Sequence, residues 1–199
     1  MKNRDLRVFY SPSTSSNVVL GRKFHEKYFM MVSGAISYKN NLRAIMALDM
    51  LFSNGYISDF KVKLTGVKDA SAYRYKIKNT GRFEFLGYVD ENELEQLYHD
   101  AYALIYPSLN EGFGYPPLEA MHYGVPVLSS PFASITEVCE GAAIYFNPFS
   151  IEEIASRILY ISQEEVCKEY TSRSLAQFAK VLEKQQLDLD RLIDFICDK

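Results

Sequence analysis

Cysteine is scarce in this 199-residue chain, and what there is does not cluster. Cys139, Cys167 and Cys197 are an odd number, far apart, with no C-x-x-C pair and no histidine at zinc-ligand spacing. That pattern argues against a disulfide framework and a zinc site and suits reduced thiols in a cytoplasmic protein. A basic excess is missing too: 22 Lys and Arg stand against 25 Asp and Glu, for a formal net charge of -3. Long polyanions demand a stripe of many cations, so nucleic acid is not an expected partner, whereas one small anionic ligand needs only a local pocket. Long apolar runs are lacking as well. No window approaches the roughly 18 apolar residues of a membrane span, and Met1-Lys2-Asn3-Arg4-Asp5 leads into no apolar leader segment. Neither a transmembrane segment nor a signal peptide is expected, while peripheral contact with a membrane surface stays open. His25, His99 and His122 are dispersed, with no nucleophile or metal pattern, and read as surface or packed residues. No G-x-G-x-x-G follows a strand-like run, which argues against a nicotinamide cofactor, and no repeat or low-complexity tract appears.

What is present suffices for one folded unit, since 48% of the residues are hydrophobic. Residues 6–10 read as a short entry strand ahead of the domain, followed by a Ser-rich segment at 11–16 with the composition of a linker. Tyr28-Phe29-Met30-Met31-Val32 is an unbroken apolar run, as in a strand covered on both faces. Five more strands are expected at 60–66, 83–86, 101–106, 126–129 and 142–146. Helical spacing falls between them: at 42–52, weakly at 68–78, after the capping residue Asp90, at 136–138, and from Ile151 to Ile161. From Glu164 the pattern stays helical. Alternating strands and helices imply βαβ units. The expected fold is α/β: one Rossmann-like domain with a mostly parallel sheet of about six strands flanked by helices, plus C-terminal helices. Residues 1–26 form a linker and lead-in, 27–163 the domain proper, and 164–199 helices that pack on it or reach toward a partner domain. Ser33-Gly34, Gly66, Gly87 and the segment after residue 106 would share the rim at the strands' carboxyl ends, where such sheets bind ligands.

The richest segment is Leu104-Ile105-Tyr106-Pro107-Ser108-Leu109-Asn110-Glu111-Gly112-Phe113-Gly114-Tyr115-Pro116-Pro117-Leu118-Glu119-Ala120-Met121. It reads as strand, glycine-bearing loop and helix start. Gly112 and Gly114 permit backbone N–H groups to meet a ligand without an intervening Cβ. Pro116 and Pro117 suit first-turn positions, where a missing donor costs little. The amides of Phe113, Gly114 and Tyr115 then face outward at a helix N-terminus, a place for a diphosphate. Glu111 and Glu119 suit vicinal diols, because an ionised carboxylate accepts two hydroxyl hydrogen bonds. On spacing alone, a solvated Glu111 and a Glu119 that merely complements its helix fit equally well.

Pro107-Ser108, Glu111-Gly112-Phe113-Gly114, Pro116-Pro117-Leu118-Glu119-Ala120-Met121 and Gly124-Val125-Pro126-Val127 closely resemble the E-x7-E region of retaining glycosyltransferases of the GT-B fold, in the large group 1 superfamily. The resemblance extends through Phe85-Leu86-Gly87-Tyr88-Val89, Thr136-Glu137-Val138 and Asn147-Pro148, over roughly residues 28–162. It implies the C-terminal, donor-binding domain. Glu111 would then lie against the transferred sugar and Glu119 on the ribose of a nucleoside-diphosphate sugar. Gly112 and the amides of Phe113, Gly114 and Tyr115 would meet sugar and diphosphate, and Gly87, Tyr88 and Val89 would lie near the base. The family also tends to place Gly-Arg or Gly-Lys after the first strand and a lysine soon after, to neutralise the diphosphate. Here Gly34 is followed by Ala35; Lys39 matches the lysine, and the first cation is absent. Arg43, one helical turn on, is near enough to serve the same phosphates, although a solvated helix face explains it too.

Several expectations follow from the resemblance. The chain would be the donor half of a hexose-transferring enzyme, inactive alone, with no cofactor and no metal. Its partner would be a second Rossmann-like acceptor domain, in the same polypeptide or a separate subunit. The alternative is a non-catalytic nucleotide-sugar-binding or regulatory module; a sugar-phosphate isomerase or epimerase is more distant. Asp188-Leu189-Asp190 mimics a metal-holding D-x-D but sits in helical spacing, where solvated acids are expected. The fifteen tyrosines are expected to pack amphipathically, hydroxyls at the surface.

Overall fold

Side-chain alternation decides how the strands are covered. In β1 (Lys27–Val32), Phe29 and Met31 enter one apolar cluster while Tyr28 and Met30 enter another. Both faces are therefore buried, the condition of an inner strand of a parallel sheet. β4 (Ala103–Tyr106) divides the same way, with Ala103 and Ile105 on the first side and Leu104 and Tyr106 on the second. The computed structural model describes residues 26–33, 37–68, 70–132 and 134–197. The strand expected at 6–10, the Ser-rich segment at 11–16, His25 and Gly34 lie outside the described residues.

The remaining strands are β2 (Phe60–Thr65), β3 (Phe83–Gly87), β5 (Val127–Ser129) and β6 (Ala143–Tyr145). They form one sheet in the order β3-β2-β1-β4-β5-β6, and every pairing is parallel. The chain thus builds outward from β1 to β3, then returns to the other side of β1 with β4. Strand order reverses between β1 and β4, the place where an open parallel sheet leaves a crevice at its carboxyl edge. Among the described residues these two strands share only two register pairs, Phe29 with Ala103 and Met30 with Leu104. Both run on beyond them, so they part toward the crevice.

α1 (Asn41–Ser53) and α6 (Ile151–Ile161) cover the first face, through residues such as Ile45, Leu48, Ile154 and Ile158. α3 (Glu91–Asp100), α4 (Tyr115–His122), α5 (Ser134–Cys139) and α7 (Glu164–Cys197) cover the second, through Tyr98, Leu118, Ile135 and Phe178. Asp90 caps α3 as expected, its carboxylate accepting from Glu93 N at 2.9 Å. The helix expected over 68–78 shrinks to α2 (Ser71–Arg74), because that stretch offers little more than Tyr73 and Ile77 to the core.

The C-terminal region is one continuous 34-residue helix rather than several, since no glycine or proline interrupts it. Its first half belongs to the domain: Phe178 and Val181 are buried, Ser174 donates to Val125 O at 3.1 Å and Gln177 to Val138 O at 2.8 Å. Asp188, expected to be solvated, is buried at 5% exposure, with Arg191 3.5 Å away. Asp190 is exposed and accepts from Gln186.

If α7 is part of the core, Phe178→Ala should lower unfolding free energy by about 3–5 kcal/mol, the usual cost of emptying a buried aromatic site. Urea denaturation followed by circular dichroism checks this, and an unchanged midpoint would mean the helix folds apart from the sheet.

Candidate functional site

The segments leaving β1 and β4 meet at the crevice. After β1, a 3-10 turn (Ser37–Lys39) leads to Asn40, which holds a left-handed conformation at φ 52°. That backbone is secured from two sides: Asn40 Nδ2 donates to Pro148 O at 2.8 Å, and Arg43 Nη1 donates to Asn40 Oδ1 at 2.8 Å. From this anchored turn Lys39 reaches across to the β4 segment. Its Nζ donates to Glu111 Oε1 at 2.7 Å and to Tyr106 Oη at 2.7 Å. Both partners of the ion pair are mostly withdrawn from water, with side chains 15% and 13% exposed. A backbone bond from Leu109 N to Tyr38 O at 2.8 Å ties the two segments a second time.

Serines hold the β4 loop from below. Ser129 Oγ donates to Tyr106 O at 2.9 Å, Ser130 Oγ donates to Ser108 O, and Ser108 Oγ donates to Asn110 O at 3.2 Å. All three serines are fully buried; their bonds give the Ser108 and Asn110 carbonyls partners beyond the end of β4 and add a second donor to Tyr106 O, which also accepts from Ser130 N. The loop then turns into α4 at Gly114, whose φ of 101° is disfavoured for any residue with a Cβ. Gly112 has no positive φ, and a Cβ there would meet nothing of the protein within 4 Å. The positions after Tyr115 are Pro116 and Pro117, and the first intrahelical donor is Leu118 N to Gly114 O at 3.3 Å. The N–H groups of Gly114 and Tyr115 therefore stand at the helix start ahead of the ladder. The rings of Phe113 and Tyr115 lie against each other there, centroids 4.8 Å apart.

The two glutamates have opposite electrostatic settings. Burial pushes the Glu111 carboxyl up, but hydrogen bonds from Lys39, Ser108 and Tyr106, with the Lys39 charge, outweigh it and leave the group below its ordinary value. Glu119, on the first full turn of α4, is raised: burial is the larger cause, and the bond from Tyr98 Oη to Glu119 Oε2 at 2.9 Å only moderates it. Burial, aided by the nearby carboxylates, also raises both tyrosines far above the usual phenol value.

Tyr98 and Tyr106 were not legible as site residues. Contrary to the expectation of surface hydroxyls, they are 2% and 1% exposed, and their hydroxyls lie on the charged groups of the site. Period-two alternation along β4 was the available signal for Tyr106, because it places that ring on the face covered by α3 and α4. Arg43 stands near the start of α1. Its guanidinium is engaged by Asn40 and lies 5.4 Å from the Phe149 ring centroid. Gly87, Tyr88 and Val89 sit on the same rim at β3, two strand spacings or roughly 10 Å from β1. Gly87 adopts φ 69° and Tyr88 is 93% exposed. His122 is buried between Tyr123 and Phe178. Among the described residues no three His, Cys, Asp or Glu side chains gather as a metal-holding group, and no helix is long and apolar enough to cross a membrane.

The family model described as Glycosyl transferases group 1 matches residues 16–180. The chain belongs to this family. Among its relatives is the O-antigen chain mannosyltransferase B of Escherichia coli, 42% identical over 98 residues that make up 49% of this chain and 26% of that protein. The O-antigen chain mannosyltransferase RfbU of Salmonella typhimurium is 32% identical over 165 residues, 79% of this chain and 44% of its own length. The chain thus spans less than half the length of either relative. In fold it is similar to S. aureus TarM, solved with fondaparinux, alpha-GlcNAc-glycerol and UDP, at a TM-score of 0.82 and 16% identity, over 98% of this chain and 40% of that one. It is also similar to the C-terminal domain of the group 1 glycosyltransferase LpcC from Francisella tularensis, at a TM-score of 0.68 and 20% identity, over 79% of this chain and 87% of that one. The group 1 chain described here therefore has the Rossmann-like fold of the C-terminal domain of GT-B enzymes.

The two glutamates should affect stability in opposite directions. Glu111, lowered, contributes stability that is present above the ordinary carboxyl value and lost as pH falls through its folded value. Glu119, raised, favours the native state only at acid pH, and that contribution is lost as pH rises through its folded value. Glu119→Gln, which keeps an acceptor for Tyr98, should therefore raise the melting temperature of the free protein at pH 7 and not at pH 4. Glu111→Gln should lower stability at pH 7 by about 1–3 kcal/mol by leaving Lys39 without its charge partner. Gly114→Ala should cost about 1–2 kcal/mol for its left-handed backbone, and Gly112→Ala next to nothing. Differential scanning calorimetry measures all four.

Proposed function

We propose that this chain is the donor-binding domain of a retaining glycosyltransferase, taking a nucleoside-diphosphate sugar without a metal or other cofactor. The observation that carries the proposal is the Lys39–Glu111 pair at the sheet's reversal point. A cation suited to a diphosphate and a carboxylate suited to sugar hydroxyls meet there, beside the start of α4.

In this reading Lys39 and the amides of Phe113, Gly114 and Tyr115 take the diphosphate and receive its charge as the glycosyl–oxygen bond breaks. Glu111 accepts from hydroxyls of the transferred sugar, and Gly112 leaves room for that sugar beside the loop. Glu119 takes the ribose diol. Gly34 would bring its backbone to the phosphates, and Gly87, Tyr88 and Val89 would flank the base at the outer strand. Because the diphosphate and Glu111 compete for Lys39, donor binding has to open the ion pair and return a partner to each side. Mannose is the first sugar to test, since both relatives are named mannosyltransferases. Acceptor recognition and efficient transfer would require a second Rossmann-like domain facing this rim, in the same polypeptide or a separate subunit, acting in the cytoplasm or at a membrane surface.

A second reading, a non-catalytic nucleotide-sugar-binding or regulatory module, is favoured by one observation: Ala35 follows Gly34 where a cation would be expected, while the Arg43 guanidinium donates to Asn40 and lies beside Phe149. In that case the chain would recognise a donor yet give the leaving group little help.

Isothermal calorimetry with UDP-, GDP- and ADP-sugars tests the proposal. One of them should bind, and Glu119→Ala should weaken it by roughly tenfold to a hundredfold through loss of a charge-assisted diol contact. No binding to any of them would sink donor recognition. Efficient turnover by this chain alone with a simple acceptor would refute the need for a second domain.

A further inference from the structure

Tyr98 is among the largest fully buried side chains described, and a phenol hydroxyl in the interior needs a partner. Its partner is a carboxylate, Glu119 Oε2, at 2.9 Å. The ring is held in place. It stacks on Tyr123 with planes 7° apart and centroids 6.2 Å apart, and the same turn of α3 is tied down by Tyr28 Oη donating to Leu97 O at 2.6 Å. Glu119 is fixed along the chain by its neighbours Leu118 and Ala120, which are 2% and 0% exposed. The carboxylate therefore lies between two helices, with one oxygen engaged from α3 and Oε1 remaining as acceptor.

A carboxylate on a free rotor presents its acceptor oxygen over a range of directions. One whose other oxygen is bound by an immobile donor presents it in a single direction, and that pre-organisation matters for two adjacent hydroxyls. Burial alone pushes the Glu119 carboxyl toward its neutral form, and the phenol bond favours the charged form that accepts from hydroxyls.

We infer that Tyr98 is a positioning residue for nucleotide recognition: its hydroxyl holds Glu119 Oε2 so that Oε1 is aimed at the ribose diol, while Tyr98 itself touches no substrate. The inference rests on the assignment of Glu119 to ribose. It also connects two parts of the site, because α3 starts directly after the Gly87–Val89 loop and ends at the Tyr98 turn, about 15 Å along the helix.

The test is calorimetric titration of GDP, UDP and ADP, each beside its 2′,3′-dideoxy counterpart, into the wild-type chain and into Tyr98→Phe. Phenylalanine keeps the buried ring and removes only the hydroxyl. The wild type should prefer the ribonucleotide by roughly tenfold or more. In Tyr98→Phe that preference should fall to about threefold or less, with the dideoxynucleotide bound as by wild type. In a Glu119→Ala background, where no carboxylate is left to position, Tyr98→Phe should change the preference no further. An undiminished preference in Tyr98→Phe overturns the positioning role and leaves the ribose assignment standing. Equal loss of both nucleotides overturns it in favour of a general structural role. A wild type that binds nucleotides without preference overturns the ribose assignment and the positioning role together, and one that binds none overturns donor recognition as well.

Discussion

The contact on which the site depends is the bond from Lys39 Nζ to Glu111 Oε1, 2.7 Å long and largely withdrawn from water. It joins the segment leaving β1 to the segment leaving β4, where the sheet's strand order reverses. Neither charge would rest comfortably there alone, since a half-buried ion without a partner carries a large desolvation cost. The ion pair therefore ties the two segments together across the crevice, and its members are the two groups that, in the proposed reading, a glycosyl diphosphate would separate. The resting contact and the proposed recognition contacts use the same two side chains.

The surrounding structure supplies rigidity rather than further charge. Asn40 is secured by Pro148 and Arg43, and the loop carbonyls by Ser129 and Ser130. Two buried tyrosines stand behind the acids: Tyr106 under the ion pair and Tyr98 against Glu119. Burial holds Glu119 closer to neutrality against the opposing bond from Tyr98, whereas bonds led by that from Lys39 outweigh burial at Glu111 and leave it the readily ionised acid. α4 needs the left-handed Gly114 to start where it does, and α7 secures its far end through Phe178 against His122. Arg43 also belongs to this framework, through its bond to Asn40.

Much of the fold was readable because local rules and tertiary burial agree. Apolar runs such as 28–32, turn glycines and the Asp90 cap mark the strand and helix limits to within a residue or two. The reading failed where local pattern carries little information. Residues 68–78 have too few apolar positions to decide between helix and loop, and Asp188, an acid on the same helical stripe as Phe178, Val181 and Gln185, is buried where its charge had suggested solvent. At the site, Lys39, Glu111 and Glu119 were visible because a family motif carries them. Tyr98 and Tyr106 were not, because a tyrosine in a strand or helix looks alike whether its hydroxyl meets water or a buried carboxylate. Only the pairing of β1 with β4, and the packing of α3 on α4, bring those hydroxyls onto the acids.

The most direct measurement is the affinity of Glu111→Gln for a bare nucleoside diphosphate compared with that for its mannose ester. Whichever of GDP, UDP or ADP the wild type binds should be titrated with and without the sugar. If Glu111 occupies Lys39 at rest and turns to the sugar on binding, its neutral amide should bind the bare diphosphate severalfold more tightly than the wild type and the sugar nucleotide more weakly. Bare diphosphate bound no better by Glu111→Gln than by wild type would contradict the account, because Lys39 would then not be the cation that the two ligands share.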